Sequence, residues 1–155
     1  MSIIFSLATD IYRIYTDEQD RTYHPEHLPQ SALILFQRFK KAYDNKNINE
    51  LQESISDDFT GNLYGRNKKE FIDFMRFNFG RLKYGLSPHL IIEIINVSTA
   101  SEVKFSAVLN MKANLKLIGI PTPMDWDAGK IWCQAQPEGK YNYWRITELS
   151  KFVVL

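Results

Sequence analysis

The sequence has a single cysteine, Cys133, in 155 residues, so no intrachain disulfide can form and a cysteine-based zinc site is excluded. Histidine is also scarce, with three residues. There is no paired-histidine helix motif and no glycine-rich loop after a strand, so no metal, nucleotide or other cofactor is expected. His24 and His27, with Asp20 and Glu26 nearby, are broken by Pro25 and read as a solvated loop. Neither sign of charge dominates: 19 basic against 18 acidic residues give a net charge of +1. Arg38, Lys40, Lys41, Lys68, Lys69, Lys112 and Lys116 are scattered rather than massed in a basic stripe, which argues against a nucleic-acid partner. No apolar run is long enough to span a bilayer. The apolar start Met1–Ala8 lacks the basic leader and the length of a signal peptide. A cytoplasmic protein with no membrane partner is therefore the expectation.

Apolar material is plentiful. Hydrophobic residues make up 45% of the chain and aromatics 14%, enough for one packed core at a length that suits one domain. Residues Ile4, Leu7, Ala8, Ile11, Ile14 and Tyr15 fall at helical spacing, and 16–30, with Pro25 and Pro29, reads as a loop. Residues 1–30 are thus expected to be an accessory helix and loop, and 31–155 the main domain. From an N-cap at Ser31, the stripe Leu35, Phe36, Phe39, Ala42 and Tyr43 predicts a helix. Asn47 with Glu50, and Asn67 with Glu70, are start signals for two more. Phe71, Phe74, Met75, Phe79 and Leu82 supply the buried face of the last helix, and Phe59–Tyr64 between the two is a short strand.

After Pro88 the period becomes two. Leu90–Val97 reads as a strand, with Glu93 pointing to solvent or pairing across the sheet. From Val103, Phe105, Ala107, Leu109, Met111, Ala113, Leu115 and Leu117 share one face, while Lys104, Ser106, Asn110, Lys112, Asn114 and Lys116 take the other. Alternation this long predicts a bent or bulged strand. Residues 119–124, with Pro121 and Pro123, read as a loop. Asp127–Gln136 and Tyr141–Val153 form a closing hairpin around residues 137–140. A simple register sets Cys133 opposite Trp144 and Ile131 opposite Ile146. Asp127 and Glu148 then lie on the inward face; Lys130, Trp132, Gln134, Tyr143 and Arg145 lie outward. The fold class is α+β, with helices first and then a long bent antiparallel sheet around an apolar interior.

This order resembles the nuclear transport factor 2-like superfamily, which includes ketosteroid isomerase-like and polyketide cyclase-like proteins. Phe39, Tyr43, Asp44, Asn47, Ile48 and Leu51 carry the resemblance, followed by Ile55–Phe59, Tyr64-Gly65, the Asn67 helix start and Gly139 with Trp144–Leu149. It covers roughly residues 31–153. The resemblance implies a cone-shaped α+β barrel, open at one end, often dimerising through the outer sheet face. The tyrosine donor and aspartate base of isomerase-type catalysis fall at Phe39 and Leu63 here, where neither side chain can act.

The remaining acid–base candidates are Asp127 and Glu148, which a buried register would couple. Their alternative is two exposed strand ends. Candidate pocket residues are Phe39, Tyr43, Tyr64, Phe105, Met111 and Trp144; the same aromatics also suit a plain core. Trp132, Tyr143 and Arg145, with Lys130 and Gln134, are the residue types that interfaces favour and suggest a homodimer. Two functions follow: a dimeric module that binds a small apolar ligand or a protein partner without catalysis, or a cofactor-independent isomerase, lyase or cyclase acting on a hydrophobic molecule.

Overall fold

The computed structural model describes residues 29–151 and the backbone of Tyr12–Ile14. Strand β1 is Tyr12–Ile14, helix α1 is Gln30–Asp44, α2 is Ile48–Glu53, β2 is Ile55–Gly61 and α3 is Lys68–Arg81. Four long strands follow: β3 Leu86–Ala100, β4 Phe105–Leu117, β5 Ile120–Glu138 and β6 Tyr143–Lys151. They form one sheet in the order β1-β3-β4-β5-β6-β2.

Both asparagine start signals act as expected. Asn47 Oδ1 accepts from the Glu50 amide at 3.1 Å and Asn67 Oδ1 from the Glu70 amide at 2.9 Å, leaving fewer orphan donors at each helix end. The first helix instead starts after Pro29, with no side-chain cap, so Ser31 lies inside it. α1 buries Ala32, Leu35, Phe36, Phe39 and Ala42 against the sheet. The alternation along β4 holds in part: Phe105, Ala107, Leu109, Met111 and Ala113 are buried toward the helices, but Ser106 and Val108 of the other row are buried as well, and Val103 and Leu117, expected on the buried face, are exposed. Glu93 pairs across the outer face, within 3.1 Å of Asn110 Nδ2 and 3.2 Å of Lys112 Nζ.

Five expectations are corrected. Residues 12–14, assigned to a helix, form a strand antiparallel to β3, with Tyr12 opposite Ile94 and Ile14 opposite Ile92. The free edge of β3 offers ladder partners there; the rest of the expected accessory helix lies outside the described residues. The first strand of the domain is Ile55–Gly61 rather than Phe59–Tyr64, because the Ser54 carbonyl already accepts from the Ile146 amide at 2.7 Å as α2 ends. β2 runs parallel to β6, so the sheet is mixed, not wholly antiparallel. Residues 120–124 are strand, since a tight turn at Ile118-Gly119 puts Leu117 opposite Ile120. Pro121 and Pro123 are tolerated because, among the described residues, β6 pairs with β5 only as far as Ile131 and no strand lies along this end of β5 on that side. Finally, the β5–β6 loop is residues 139–142, so Cys133 faces Leu149 and Trp144 faces Pro137.

Register shifts bend the sheet. Between Met111 and Lys112 the pairing slips where Gly129, at φ 75°, takes the left-handed position of a bulge. Asp127 Oδ1 closes that bulge by accepting from the Gly129 amide at 2.8 Å. The core beneath is continuous, from Phe36 edge-on to Phe105 at 5.7 Å to Phe59 against Phe71 at 5.2 Å. Among the described residues, no helix is long and apolar enough to cross a membrane.

Candidate cavity at the open end of the sheet

A cavity of about 430 Å³ lies where α3, the end of α1 and the first residues of β3 and β5 diverge. Tyr43, Tyr64, Phe74, Met75, Leu115 and Trp126 supply much of its apolar wall, and Asn78, Arg81 and Asp125 its polar points. Sequence spacing explains part of this wall. On α3, Phe71, Met75 and Phe79 face the core, whereas Phe74, Asn78 and Arg81 recur as a second row beside it. Tyr64 reaches in from the β2–α3 connection with its backbone at φ 65°, an unusual conformation for an aromatic residue. Its ring stacks on Phe74 at 4.4 Å and tilts onto Trp126 at 5.4 Å. Tyr43 projects from the last turn of α1, stacked on Phe39 at 6.4 Å and edge-on to Phe79 at 5.3 Å.

The two phenols bring hydroxyl groups to the cavity wall. Burial, helped by the adjacent Asp44 charge, pushes the Tyr43 hydroxyl up to about 12. Burial, with Tyr43 as the second cause, also raises Tyr64 above the ordinary phenol range. Both therefore stay protonated at neutral pH and serve as neutral hydrogen-bond donors. Neither hydroxyl bonds to another of the described residues.

Of the six residues expected to line a pocket, the structure places Tyr43 and Tyr64 on this cavity. Phe39, Phe105, Met111 and Trp144 are buried in the core behind it, because their strand and helix positions point at α1 or the sheet interior. Asp127 and Glu148 do not meet. Asp127 is exposed beyond the end of β6, and a bulge between Gln134 and Ala135 turns Glu148 opposite Gln134, where its Oε2 accepts from Ser150 Oγ at 2.9 Å. Phe39 and Leu63 are both core residues. Cys133 is fully buried, and burial raises its thiol further from reactivity.

The proposed interface set also divides. Lys130, Trp132 and Gln134 pair with the outer row Asn110, Val108 and Ser106 of β4. Arg145 pairs with Gln136, so it does not lie opposite Trp132 as the simple hairpin register would set it. Arg145 Nε instead donates to the Glu53 carbonyl at 3.0 Å, and Tyr143 lies between the guanidiniums of Arg38 (4.1 Å) and Arg145 (4.8 Å). His24 and His27 lie outside the described residues; among the described ones no group of three or more metal-binding side chains occurs.

No family model and no curated protein matches the sequence. Solved structures do match. A conserved protein from Planctomyces limnophilus superposes with a TM-score of 0.60 at 14% identity, covering 80% of this chain and 94% of that one. A nuclear transport factor 2-like protein of unknown function in nutrient uptake from Rhodospirillum rubrum gives 0.54 at 14% identity, covering 79% and 98%. A ketosteroid isomerase-like protein from Shewanella frigidimarina gives 0.53 at 15% identity, covering 78% and 94%. The chain has the nuclear transport factor 2-like fold, as the order of its elements and its helix-start signals imply.

Proposed function

We propose that this protein is a homodimeric binding module that holds a small apolar ligand in the cavity bordered by Tyr43, Tyr64 and Trp126, without catalysis. The observation that carries this reading is the pair of half-buried phenols at the end of an aromatic wall, their hydroxyls without a hydrogen-bond partner among the described residues. A ligand suited to it has a flat apolar body that stacks beside Tyr64 and Trp126 and a hydrogen-bond acceptor for the two donors. Anilinonaphthalene sulfonate has both features and becomes fluorescent in apolar sites. It is expected to bind the wild type, and Leu115→Trp, which fills the cavity wall, is expected to weaken binding at least about tenfold. Tyr64→Phe removes one donor and is expected to cost about two- to tenfold. Equal binding by the wild type and Leu115→Trp removes the cavity from consideration.

The dimer is proposed through the outer row of β5, where half-exposed Trp132 lies between Lys130 and Gln134. Sedimentation at tens of micromolar is expected to give a dimer for the wild type and a monomer for Trp132→Asp; a wild-type monomer refutes it. One observation favours a second, catalytic reading: Asp125 borders the same cavity as the two phenols, an acid–base arrangement for a cofactor-independent isomerase, lyase or cyclase. Solvent-deuterium exchange into a bound ketone, lost in Asp125→Asn, distinguishes catalysis from simple binding.

A further inference from the structure

Beyond the cavity mouth, two neighbouring turns form a tip. The Gly85 carbonyl accepts from the Ile118 amide at 2.9 Å, and Leu86 pairs with Leu117, so the 83–85 turn and the β4–β5 turn travel together. The side chains there are apolar and uncovered: Tyr84 is 93% exposed, Ile118 79% and Ile120 69%. The fold does not require them. Tyr84 (φ 58°) and Ile118 (φ 50°) each precede a glycine in left-handed backbone, a turn that Asn-Gly satisfies at lower cost and that is especially unfavourable for a β-branched residue. Large apolar groups kept at strained, solvated positions mark a contact surface.

The charge around the tip selects the partner. Segments 74–92 and 103–124 contain no Asp or Glu. Arg81, Lys83 and Lys116 flank the tip and make no ion pair among the described residues, unlike Arg66, Lys68, Lys69 and Arg76, each of which lies against a carboxylate. Among the described residues, Asp125 is the one carboxylate on the adjoining cavity wall.

We propose that this tip docks on an anionic lipid bilayer, with Tyr84, Ile118 and Ile120 entering the headgroup layer and Arg81, Lys83 and Lys116 meeting lipid phosphates and carboxylates. Such a contact is peripheral and leaves no spanning segment in the sequence, which is why an apolar-run criterion does not register it. Apolar insertion and cationic attraction add, so neutral vesicles bind weakly and salt releases the protein from charged ones. The lipid contact stands whether or not the cavity takes a ligand.

Flotation of the full chain with phosphatidylcholine vesicles containing about 30% phosphatidylserine tests it. The wild type is expected to float with these vesicles, and far less with phosphatidylcholine alone. Ile118→Asn and Tyr84→Asn are each expected to reduce binding about tenfold. Their melting temperatures are expected to hold or rise, because asparagine suits both backbone positions. Absence of wild-type binding overturns the proposal, as does wild-type-like binding by both folded variants. Loss of self-association in both variants, with no vesicle binding by the wild type, assigns the tip to a second copy of the chain instead.

Discussion

Lys40→Ala is expected to destabilise the fold by about 3 kcal/mol, the lower end of the range for breaking a buried charge pair, because its carboxylate partner keeps some solvent contact. Lys40 sits on the apolar side of α1, 5% exposed, with three contacts. Its Nζ donates to Asp44 Oδ2 and to the Leu90 carbonyl, each at 2.7 Å, and lies 3.5 Å from His89 Nδ1. Asp44 Oδ1 in turn accepts from the Leu90 amide at 2.7 Å. The two side chains together satisfy both backbone groups of Leu90, as a neighbouring strand would, and lock α1 to β3. Burial and the Lys40 charge lower the His89 pKa in spite of Asp44, so the imidazole is neutral at pH 7 and leaves the clamp's ionic pairing to Lys40. Truncating Lys40 strands the carboxylate and the Leu90 carbonyl and opens a void. Urea unfolding measures the loss. Lys69→Ala, at a solvated pair on α3, serves as the comparison and is expected to leave the midpoint unchanged. Equal midpoints for the two variants contradict the clamp.

The second large effect is at Gly61, where alanine is expected to cost about 3 kcal/mol, the upper end for overpacking. A Cβ there would clash with the Leu149 carbonyl oxygen and lie 3.0 Å from its carbon, both backbone atoms that cannot rotate away. The close approach lets the same carbonyl accept from the Asn62 and Leu63 amides, at 3.2 and 3.3 Å. Separating β2 from β6 breaks those bonds and withdraws Leu63 from the core, and Tyr64 from the cavity with it. Guanidinium unfolding checks this. Gly80→Ala, a helical site with no atom within 4 Å, is expected to stabilise by about 0.5–1 kcal/mol, so the contrast isolates the strand contact. A Gly61→Ala midpoint at or above the wild type contradicts it.

The legible parts of this chain are those governed by neighbours in sequence. Asn47 and Asn67 cap helices because the groups they satisfy are three residues away. The buried row Phe105, Ala107, Leu109 and Met111 of β4 was legible because side chains alternate whatever the strand packs against, whereas the burial of Ser106 and Val108 on the other row was not. The cavity was half legible. Tyr43 follows from the α1 stripe, whereas Phe74, Asn78 and Arg81 form a second row on α3 that reads as ordinary amphipathic helix until the sheet curves away from it. Trp126 lay hidden behind two prolines, whose place in a strand goes with a stretch of β5 that the described residues of β6 do not reach.

Composition and periodicity thus determined that helical segments from residue 31 precede the long strands of the sheet, and that no intrachain disulfide can form. Tertiary structure decided the rest, because each remaining feature depends on partners far apart in the chain. Strand pairing sent Arg145 to Gln136 and Glu148 opposite Gln134, which separates the candidate pair Asp127 and Glu148. Contact between α1 and β3 turned Lys40, one scattered lysine among many, into a buried clamp. The cavity between Tyr64 and Leu115 is lined by residues of α1, the β2–α3 connection, α3, β3, β4 and β5, which only the fold brings together.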